Sequence, residues 1–137
     1  MEASLVVKAI ILNRDLRKLL LIQRSAADVT GAGTWEGAGG KIEPGESPEE
    51  AILREIREEV GIEDITIERI AYTSLCHGEK PMLIIAYLCS TQSQTARLGD
   101  EHQAWRWADE QTCRELLPDV IWQDFERHSV FQMIEQK

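Results

Sequence analysis

The chain begins with two runs of apolar and β-branched residues, at 4–13 and 18–23. A short polar segment around Arg14 and Asp15 separates them. Runs of this length on either side of a polar turn are typical of neighbouring strands, so the pattern predicts a β-hairpin that begins a sheet. The periodicity of apolar residues predicts further strands at 66–75, 82–90 and 104–107.

The segment 24–46 interrupts this pattern. It contains six of the nine glycines together with Pro44. A segment so rich in glycine is predicted to be a long irregular connection. Connections of this length in compact domains usually have a functional role. The segment is therefore the first place to look for a site.

A helix is predicted immediately after this connection, over residues 48–60. Ser47 is a suitable N-cap, Pro48 suits the first helical position, and Glu50 completes a capping box. Gly61 is placed to end the helix in a left-handed conformation. An amphipathic pattern predicts one more helix over 119–135, which packs its apolar stripe on the sheet or serves a dimer interface.

Length and composition limit the architecture and the partners. With 137 residues and 43% hydrophobic content, the chain has the size of a single compact domain spanning 1–137. No run approaches the roughly 20 apolar residues of a membrane span, and the N-terminus lacks the features of a secretory signal, so a cytoplasmic protein is expected. The three cysteines, Cys76, Cys89 and Cys113, lack paired spacing and are predicted to be buried reduced thiols.

Charge narrows the possible ligands further. The chain has 24 acidic and 15 basic residues and a net charge of -9. This excess of negative charge opposes binding to duplex nucleic acid or to an anionic membrane. A small phosphorylated ligand would need local cations or bound metal ions to reverse the field. The charge balance therefore favours a metal requirement in any phosphate-binding function.

Three carboxylates share one side of the predicted 48–60 helix: Glu55, Glu58 and Glu59. Like charges at these spacings repel each other in the absence of a cation, and Mg²⁺ prefers oxygen ligands of this kind. The alternative is an ordinary solvated helix face. The surroundings favour a metal site, because the preceding Gly39-Gly40-Lys41 turn has a backbone that can approach a ligand closely. Arg54 is placed to pair with Glu46 and to hold this turn against the helix.

The residues just described resemble the Nudix box of Nudix hydrolases. Gly40, Glu46 and the segment 54–62 match every fixed position of that 23-residue signature. The resemblance implies an α+β fold, an α/β/α sandwich with a mixed sheet. It also implies hydrolysis of a nucleoside diphosphate linked to another group.

Roles for individual residues follow from the same resemblance. Glu55, Glu58 and Glu59 would be ligands of Mg²⁺, with Mn²⁺ as a possible substitute, and the Gly39 carbonyl an additional ligand. Glu55 and Glu58 would also be catalytic. Gly40, Glu46 and Arg54 would form the structural brace of the box.

A general base is also needed, and family members often take it from a loop before a late strand. Glu101 stands at that place, before the predicted strand 104–107. It is our first choice for a base outside the box. The alternative is an exposed acidic residue of a loop without a catalytic role.

Three positions outside the box bear on the substrate. The segment 24–28 resembles the corresponding stretch of MutT-type nucleoside triphosphate pyrophosphohydrolases, in which Arg24 would grip a phosphate. Arg24 is alternatively an ordinary strand-end arginine. Lys41 is assigned to the substrate site together with Arg24. Asp119 falls where these enzymes place a residue that reads the base, although it would also serve as a helix cap.

The chain departs from many relatives just before the double glycine. It has Gly37-Ala38 where they carry a large apolar residue and a proline. Gly37 offers no surface on which a base can stack. Trp35 is then either an aromatic platform for the base, reached from a shifted position, or a core residue. The departure leaves the preferred base open.

The leading functional prediction is a magnesium-dependent hydrolase that converts a nucleoside triphosphate to the monophosphate and pyrophosphate. A pyrophosphatase acting on ADP-ribose or a nucleotide sugar is the alternative within the enzymes. A non-catalytic nucleotide-sensing module is the alternative from another class, since fold alone does not establish function. The expected partner is a small nucleotide, and the protein is expected to be a monomer or a homodimer.

Overall fold

A computed structural model describes residues 2–28 and 31–135 of the chain. The seven strands in this part are β1 (Ser4–Asn13), β2 (Lys18–Arg24), β3 (Trp35–Glu36), β4 (Gly39–Lys41), β5 (Thr66–Cys76), β6 (Met82–Ser90) and β7 (His102–Ala108). The four helices are α1 (Pro48–Val60), α2 (Glu110–Leu116), α3 (Asp119–Arg127) and α4 (Val130–Glu135). None of these helices is long and apolar enough to cross a membrane.

All seven strands belong to one mixed sheet. Its main path is β3-β2-β1-β6-β5, with β4 paired to β1 and β7 paired to β2. Strands β1 and β6 run parallel, and the other pairs are antiparallel. Strands β1 and β2 pair with each other only near their connecting turn. Beyond it they diverge, β1 pairing with β4 and β2 with β3, so that the glycine-rich segment enters the middle of the sheet.

Each face of the sheet is covered by helices. Helix α1 buries Ala51, Ile52, Ile56 and Val60 against one face. Helices α2, α3 and α4 cover the opposite face, where Cys113, Phe125 and Val130 are buried. A sheet with one hydrophobic layer and its helices on each face is an α/β/α sandwich. The predicted α+β fold with a mixed sheet is confirmed.

Helix α1 begins and ends as predicted. The Ser47 side chain accepts a hydrogen bond from the Glu50 backbone N–H, and the Glu50 side chain accepts one from the Ser47 N–H. At the other end, Gly61 adopts a left-handed conformation with φ 68°, and its N–H donates to the Arg57 carbonyl. These caps fix the bounds of the helix that carries the acidic residues.

Gly61→Ala is expected to destabilise the protein by about 1–2 kcal/mol, because a side chain is unfavourable in the left-handed conformation. The new Cβ would also lie 3.3 Å from the Arg97 carbonyl oxygen. Urea unfolding at pH 7 measures the change. Gly78→Ala is the matched control, since a Cβ at Gly78 meets no atom within 4 Å among the described residues. Equal stability of the two variants would contradict this prediction.

Several boundaries differ from the prediction. The segment 24–46, predicted to be irregular throughout, contributes the short strands β3 and β4, because their partners are the diverging edges of β1 and β2. The predicted single helix over 119–135 is broken into α3 and α4, since Ser129 takes a left-handed φ of 54° that a helix interior does not accommodate. Helix α2 was not predicted, and Asp109 caps it by accepting a hydrogen bond from the Thr112 N–H.

The three cysteines are free thiols, as the sequence predicts. Cys89 and Cys113 are buried in the two core layers. Cys76 is only half-buried, because it ends strand β5 at the margin of the sheet, so the prediction of burial is wrong for this residue.

Candidate active site

The three carboxylates of α1 lie in different environments. The Glu58 side chain is 58% exposed, whereas that of Glu55 is 14% exposed. Glu59 is half-buried, and its Oε1 accepts a hydrogen bond of 2.8 Å from the Gly39 N–H. Burial raises the pKa of the Glu59 carboxyl, and the Gly39 hydrogen bond with the charges of His102 and Lys8 only partly offsets this. A bound cation would compensate this half-buried carboxylate.

Glu55 packs directly against Gly40 of β4. The segment Gly39–Lys41, predicted from the sequence to be a turn, is a short strand. A Cβ placed on Gly40 would lie 2.7 Å from the Glu55 Cδ and Oε1 atoms. The Glu55 carboxylate reaches this position only because residue 40 has no side chain. Burial raises the pKa of the Glu55 carboxyl, while Arg54 opposes the shift. Glu55, a predicted metal ligand, is thus in direct contact with Gly40, a predicted member of the brace.

Arg54 ties the helix to the connection that precedes it. Its Nε and Nη2 donate to the two carboxylate oxygens of Glu46, at 2.7 and 3.0 Å. Its Nη1 donates to Glu55 Oε1 at 2.8 Å and to Glu58 Oε2 at 3.3 Å. The paired hydrogen bonds from one guanidinium fix the orientation of the Glu46 carboxylate, and those from Nη1 restrain Glu55 and Glu58. The hydrogen bonds from Arg54 also lower the pKa of the Glu46 carboxyl.

The donor set is chemically suited to a hard divalent cation. In residues 2–28 and 31–135, no group of three His, Cys, Asp or Glu side chains is arranged to enclose a metal ion by itself. Mg²⁺ rarely uses such an enclosure, since it is usually held by one or two carboxylates and completes its shell with water and substrate phosphate. Glu55, Glu58 and Glu59 on one helix face provide the oxygen atoms for that type of binding. The residues therefore fit the implied metal, with the substrate as a co-ligand.

Glu101, the predicted general base, is exposed in the turn before β7. Its negative charge contributes to raising the pKa of Glu55, so the two carboxylates are close enough to interact. The Glu101 carbonyl accepts a hydrogen bond of 2.9 Å from the Ser25 N–H, which anchors the turn to the end of β2. The structure thus holds Glu101 in an exposed turn whose charge acts on Glu55.

A buried charged cluster lies next to this region and was missed by the sequence analysis. Glu36 is 7% exposed. Its Oε2 is 2.9 Å from His102 Nε2 and 3.1 Å from Arg24 Nε, and its Oε1 is 3.2 Å from Lys8 Nζ. Burial alone would raise the pKa of the Glu36 carboxyl, but the His102 hydrogen bond and the charges of Lys8 and Arg24 lower it to about 2.

The cluster also determines what Arg24 can do. The guanidinium binds Glu36 and makes a second ion pair of 2.9 Å with Asp28. Arg24, predicted to grip a phosphate, is therefore engaged by two carboxylates. His102 Nδ1 is buried and has no hydrogen-bond partner among the described residues. No spacing in the sequence indicates this cluster, because its members come from four separate segments.

Glu36→Gln is expected to reduce stability at pH 7 and to change the response to acid. Because the pKa of Glu36 is lower in the folded state than its ordinary 4.5, the ionised carboxylate stabilises the fold above pH 4.5, and this is lost as the pH falls towards 2. The shift corresponds to about 3 kcal/mol. Urea unfolding from pH 7 to 2 should show the variant losing less stability than the wild type, whereas exposed Glu79→Gln should follow the wild type. Parallel curves for all three proteins would contradict the prediction.

The remaining predicted substrate residues lie apart from the acidic face or have other contacts. Trp35 is half-buried and packs on the core layer beneath α3 and α4, which is the core alternative of the prediction. Lys41 has an exposed side chain, and its carbonyl accepts a hydrogen bond of 3.2 Å from Arg54 Nη2. Asp119 is exposed and makes no side-chain cap hydrogen bond. The predicted helix-cap role of Asp119 is wrong, because Pro118 occupies the N-cap.

A narrow, mainly apolar cavity lies between the sheet and α3. Its charged lining residues are Lys8, Glu36 and Asp124, and Gly37 forms part of its edge. Asp119 is not among the lining residues. A larger cavity of about 650 Å³ lies at the β1–β2 turn and α4, and no predicted site residue lines it. The cavity beneath α3 is therefore the one that two members of the charged cluster, Lys8 and Glu36, help to line.

The fold and these residues agree with the comparison to known proteins. Residues 4–125 match the NUDIX domain. This match covers most of the chain, and the chain belongs to the NUDIX family. The family predicted from the box is confirmed.

Individual relatives carry more detailed names. The chain is 52% identical over 65 residues to a CTP pyrophosphohydrolase of Escherichia coli K12, a match that covers 47% of each protein. It is 33% identical over 86 residues to the nucleoside triphosphatase NudI of Escherichia coli O1:K1 / APEC, covering 55% of this chain and 61% of that protein. These matches span about half the length of the curated relatives.

A solved structure extends the similarity over the whole fold. The MutT protein from Methanosarcina mazei Go1 superposes with a TM-score of 0.83 at 28% identity, and the match covers 99% of both chains. The arrangement of sheet and helices around α1 is thus shared with a MutT protein. Helix α1 and the segment Gly39–Lys41 therefore belong to a fold that the two proteins share.

Proposed function

We propose that this protein hydrolyses a nucleoside triphosphate to the monophosphate and pyrophosphate with the help of a divalent metal ion. The observation that carries the proposal is the contact between the acidic face of α1 and the segment Gly39–Lys41. Glu59 binds the Gly39 N–H, and Glu55 fills the space left by the missing side chain of Gly40. This contact brings several carboxylate oxygens together beside the segment Gly39–Lys41, where a bound metal ion would also coordinate the substrate phosphates.

In this proposal Glu55, Glu58 and Glu59 hold Mg²⁺, for which Mn²⁺ substitutes, and the Gly39 carbonyl is a further donor. When bound, the metal neutralises phosphate oxygens and promotes ionisation of a water molecule. Arg54 and Glu46 keep Glu55 oriented through the hydrogen bonds described above. Glu101 accepts the proton of the attacking water at its exposed carboxylate, which lies near Glu55.

The triphosphate substrate is supported by the names of two relatives, a CTP pyrophosphohydrolase and a nucleoside triphosphatase. Retention of all three box carboxylates supports turnover over a purely sensing role. A cytoplasmic location and the choice between monomer and homodimer stay predictions from the sequence.

A substrate panel tests this function. The purified protein is incubated with the four common nucleoside triphosphates, ADP-ribose and a nucleotide sugar, with Mg²⁺ or with EDTA, and products are separated by ion-exchange chromatography. We expect Mg²⁺-dependent formation of a nucleoside monophosphate and pyrophosphate from at least one triphosphate. Turnover of ADP-ribose or the sugar nucleotide alone would contradict the triphosphate proposal, and binding without turnover would contradict catalysis.

A further inference from the structure

The turn that carries Glu101 is tied to helix α1 on its N-terminal side. The Gly99 N–H donates to the Glu59 carbonyl at 3.3 Å, and the Arg97 N–H donates to the Val60 carbonyl at 2.8 Å. Both carbonyls belong to the last turn of α1, where carbonyl groups lack partners within the helix. The segment that leads to Glu101 therefore completes the hydrogen bonding of the helix that carries the acidic face.

The contact between Gly99 and α1 is too close for a side chain. A Cβ at this position would lie 2.8 Å from the Glu58 carbonyl oxygen and 4.0 Å from the Glu59 Cα, which are backbone atoms of the helix. Gly99 does not adopt a positive φ, so glycine is needed here for space and not for its conformation. Because Gly99 is two residues from Glu101, this contact sets the distance between the helix and the turn.

The other side of the turn is anchored in the buried charged cluster. The side chain of His102, which directly follows Glu101, is 1% exposed, and its Nε2 lies 2.9 Å from Glu36 Oε2. Since an ionised carboxylate can only accept, Nε2 is the donor of this hydrogen bond. The His102 Nδ1 has no partner among residues 2–28 and 31–135, so the contact with Glu36 orients the ring.

These two anchors, the Gly99 contact with α1 and the His102 hydrogen bond to Glu36, lie on either side of an exposed residue. Glu101 is exposed, so the position of its carboxylate depends on the backbone that carries it. A general base must come within about 2.6–3.2 Å of the atom whose proton it accepts. A displacement of about 1 Å can cost about 100-fold in rate. Restraint of the turn on both sides therefore matters for the reaction.

We propose that Gly99 and His102 are positioning residues that together hold the general base Glu101 in place beside α1. The inference rests on the proposed function and deepens it, since it explains how an exposed glutamate is kept in one position. The two residues act through Glu101 and not on the substrate. Their replacement should therefore matter only while residue 101 is a functional base.

A double-mutant cycle tests this dependence. We expect His102→Leu to lower kcat about 10- to 100-fold with KM changed less than about 3-fold, because the base is displaced while the substrate still binds. His102→Gln should restore most of the activity, since its amide can donate to Glu36. In a Glu101→Gln background, His102→Leu should lower kcat by no more than about 2-fold. Arg106→Gln, at an exposed position of the same strand, is the control and should retain wild-type kcat.

Gly99→Ala tests the other anchor in the same way. We expect kcat to fall about 10-fold, because the new Cβ displaces the turn from α1, and no further loss in the Glu101→Gln background. Gly78→Ala, whose Cβ meets no atom within 4 Å among the described residues, is the matched control. Circular dichroism verifies that each variant is folded, and if His102→Leu does not fold, the Gly99→Ala cycle decides.

The outcomes separate the inference from the proposed function. Losses that disappear in the Glu101→Gln background support the inference. Losses that multiply with that of Glu101→Gln, or full activity of Glu101→Gln or of both anchor variants, overturn it while triphosphate hydrolysis by the wild type stands. Absence of hydrolysis by the wild type overturns the proposed function and the inference with it.

Discussion

Glu58→Gln is expected to lower kcat/KM for a nucleoside triphosphate by at least about 1,000-fold and to leave the stability nearly unchanged. The loss of activity follows because a divalent metal contributes several kcal/mol to stabilisation of the transition state, and each 1.4 kcal/mol corresponds to a factor of ten. The stability is spared because the side chain is 58% exposed and its contact with Arg54 is 3.3 Å long. Exposed ion pairs of this kind contribute little to folding.

The measurement combines pyrophosphate release at saturating Mg²⁺ with urea unfolding of the same preparations. Glu63→Gln is the matched control, because Glu63 is an exposed glutamate shortly after the same helix and outside its acidic face. It should retain wild-type activity. Near-normal turnover by Glu58→Gln would remove the metal-site interpretation, whereas unfolding of Glu58→Gln would contradict the separation of activity from stability.

The adjacent glycines Gly40 and Gly39 are expected to respond differently to alanine: the first substitution should lower activity and the second should lower stability. In Gly40→Ala the new Cβ would meet the end of the flexible Glu55 side chain at 2.7 Å, so Glu55 moves while the fold remains. A displacement of about 1 Å at a catalytic group can cost about 100-fold in rate. In Gly39→Ala the Cβ would lie 2.1 Å from the Val7 carbonyl oxygen. Backbone within the sheet yields less easily, and destabilisation of about 3 kcal/mol is expected.

Urea unfolding and kcat/KM, measured on both variants, separate the two effects. Gly78→Ala, whose Cβ meets open space, should leave stability and activity unchanged. We expect Gly40→Ala to lose activity with near-normal stability and Gly39→Ala to lose stability. Full activity of Gly40→Ala would show that the position of Glu55 against the turn is unimportant for the reaction.

The parts of the fold that follow from local sequence were predicted well. The ends of α1 are determined by Ser47, Glu50 and Gly61, whose hydrogen bonds involve residues at most four positions away. Strand β6 follows from an apolar run long enough to identify without a partner, and β5 from β-branched and aromatic residues interspersed with polar ones. The Nudix box lies mainly on α1 and the preceding turn, so a local signature was sufficient to indicate the family.

The parts that depend on distant contacts were missed. Strands β3 and β4 contain two and three residues, and only pairing with β2 and β1 defines them. Glu36 and His102 are 66 positions apart, so their hydrogen bond has no signature in the sequence. Asp119 lies inside α3 and not at its N-cap, because Pro118 takes the cap position, and a shift of one residue in a helix start has no clear signature in the sequence.

The metal dependence of pyrophosphate release from a nucleoside triphosphate tests the central claim most directly. Protein freed of metal with EDTA and transferred to metal-free buffer is assayed with the best triphosphate of the panel before and after addition of Mg²⁺. We predict no release without metal, restoration by Mg²⁺ or Mn²⁺, and no restoration in Glu58→Gln. Release that persists without metal, or that Mg²⁺ restores equally in Glu58→Gln, would contradict the account of the acidic face of α1 as the catalytic metal site.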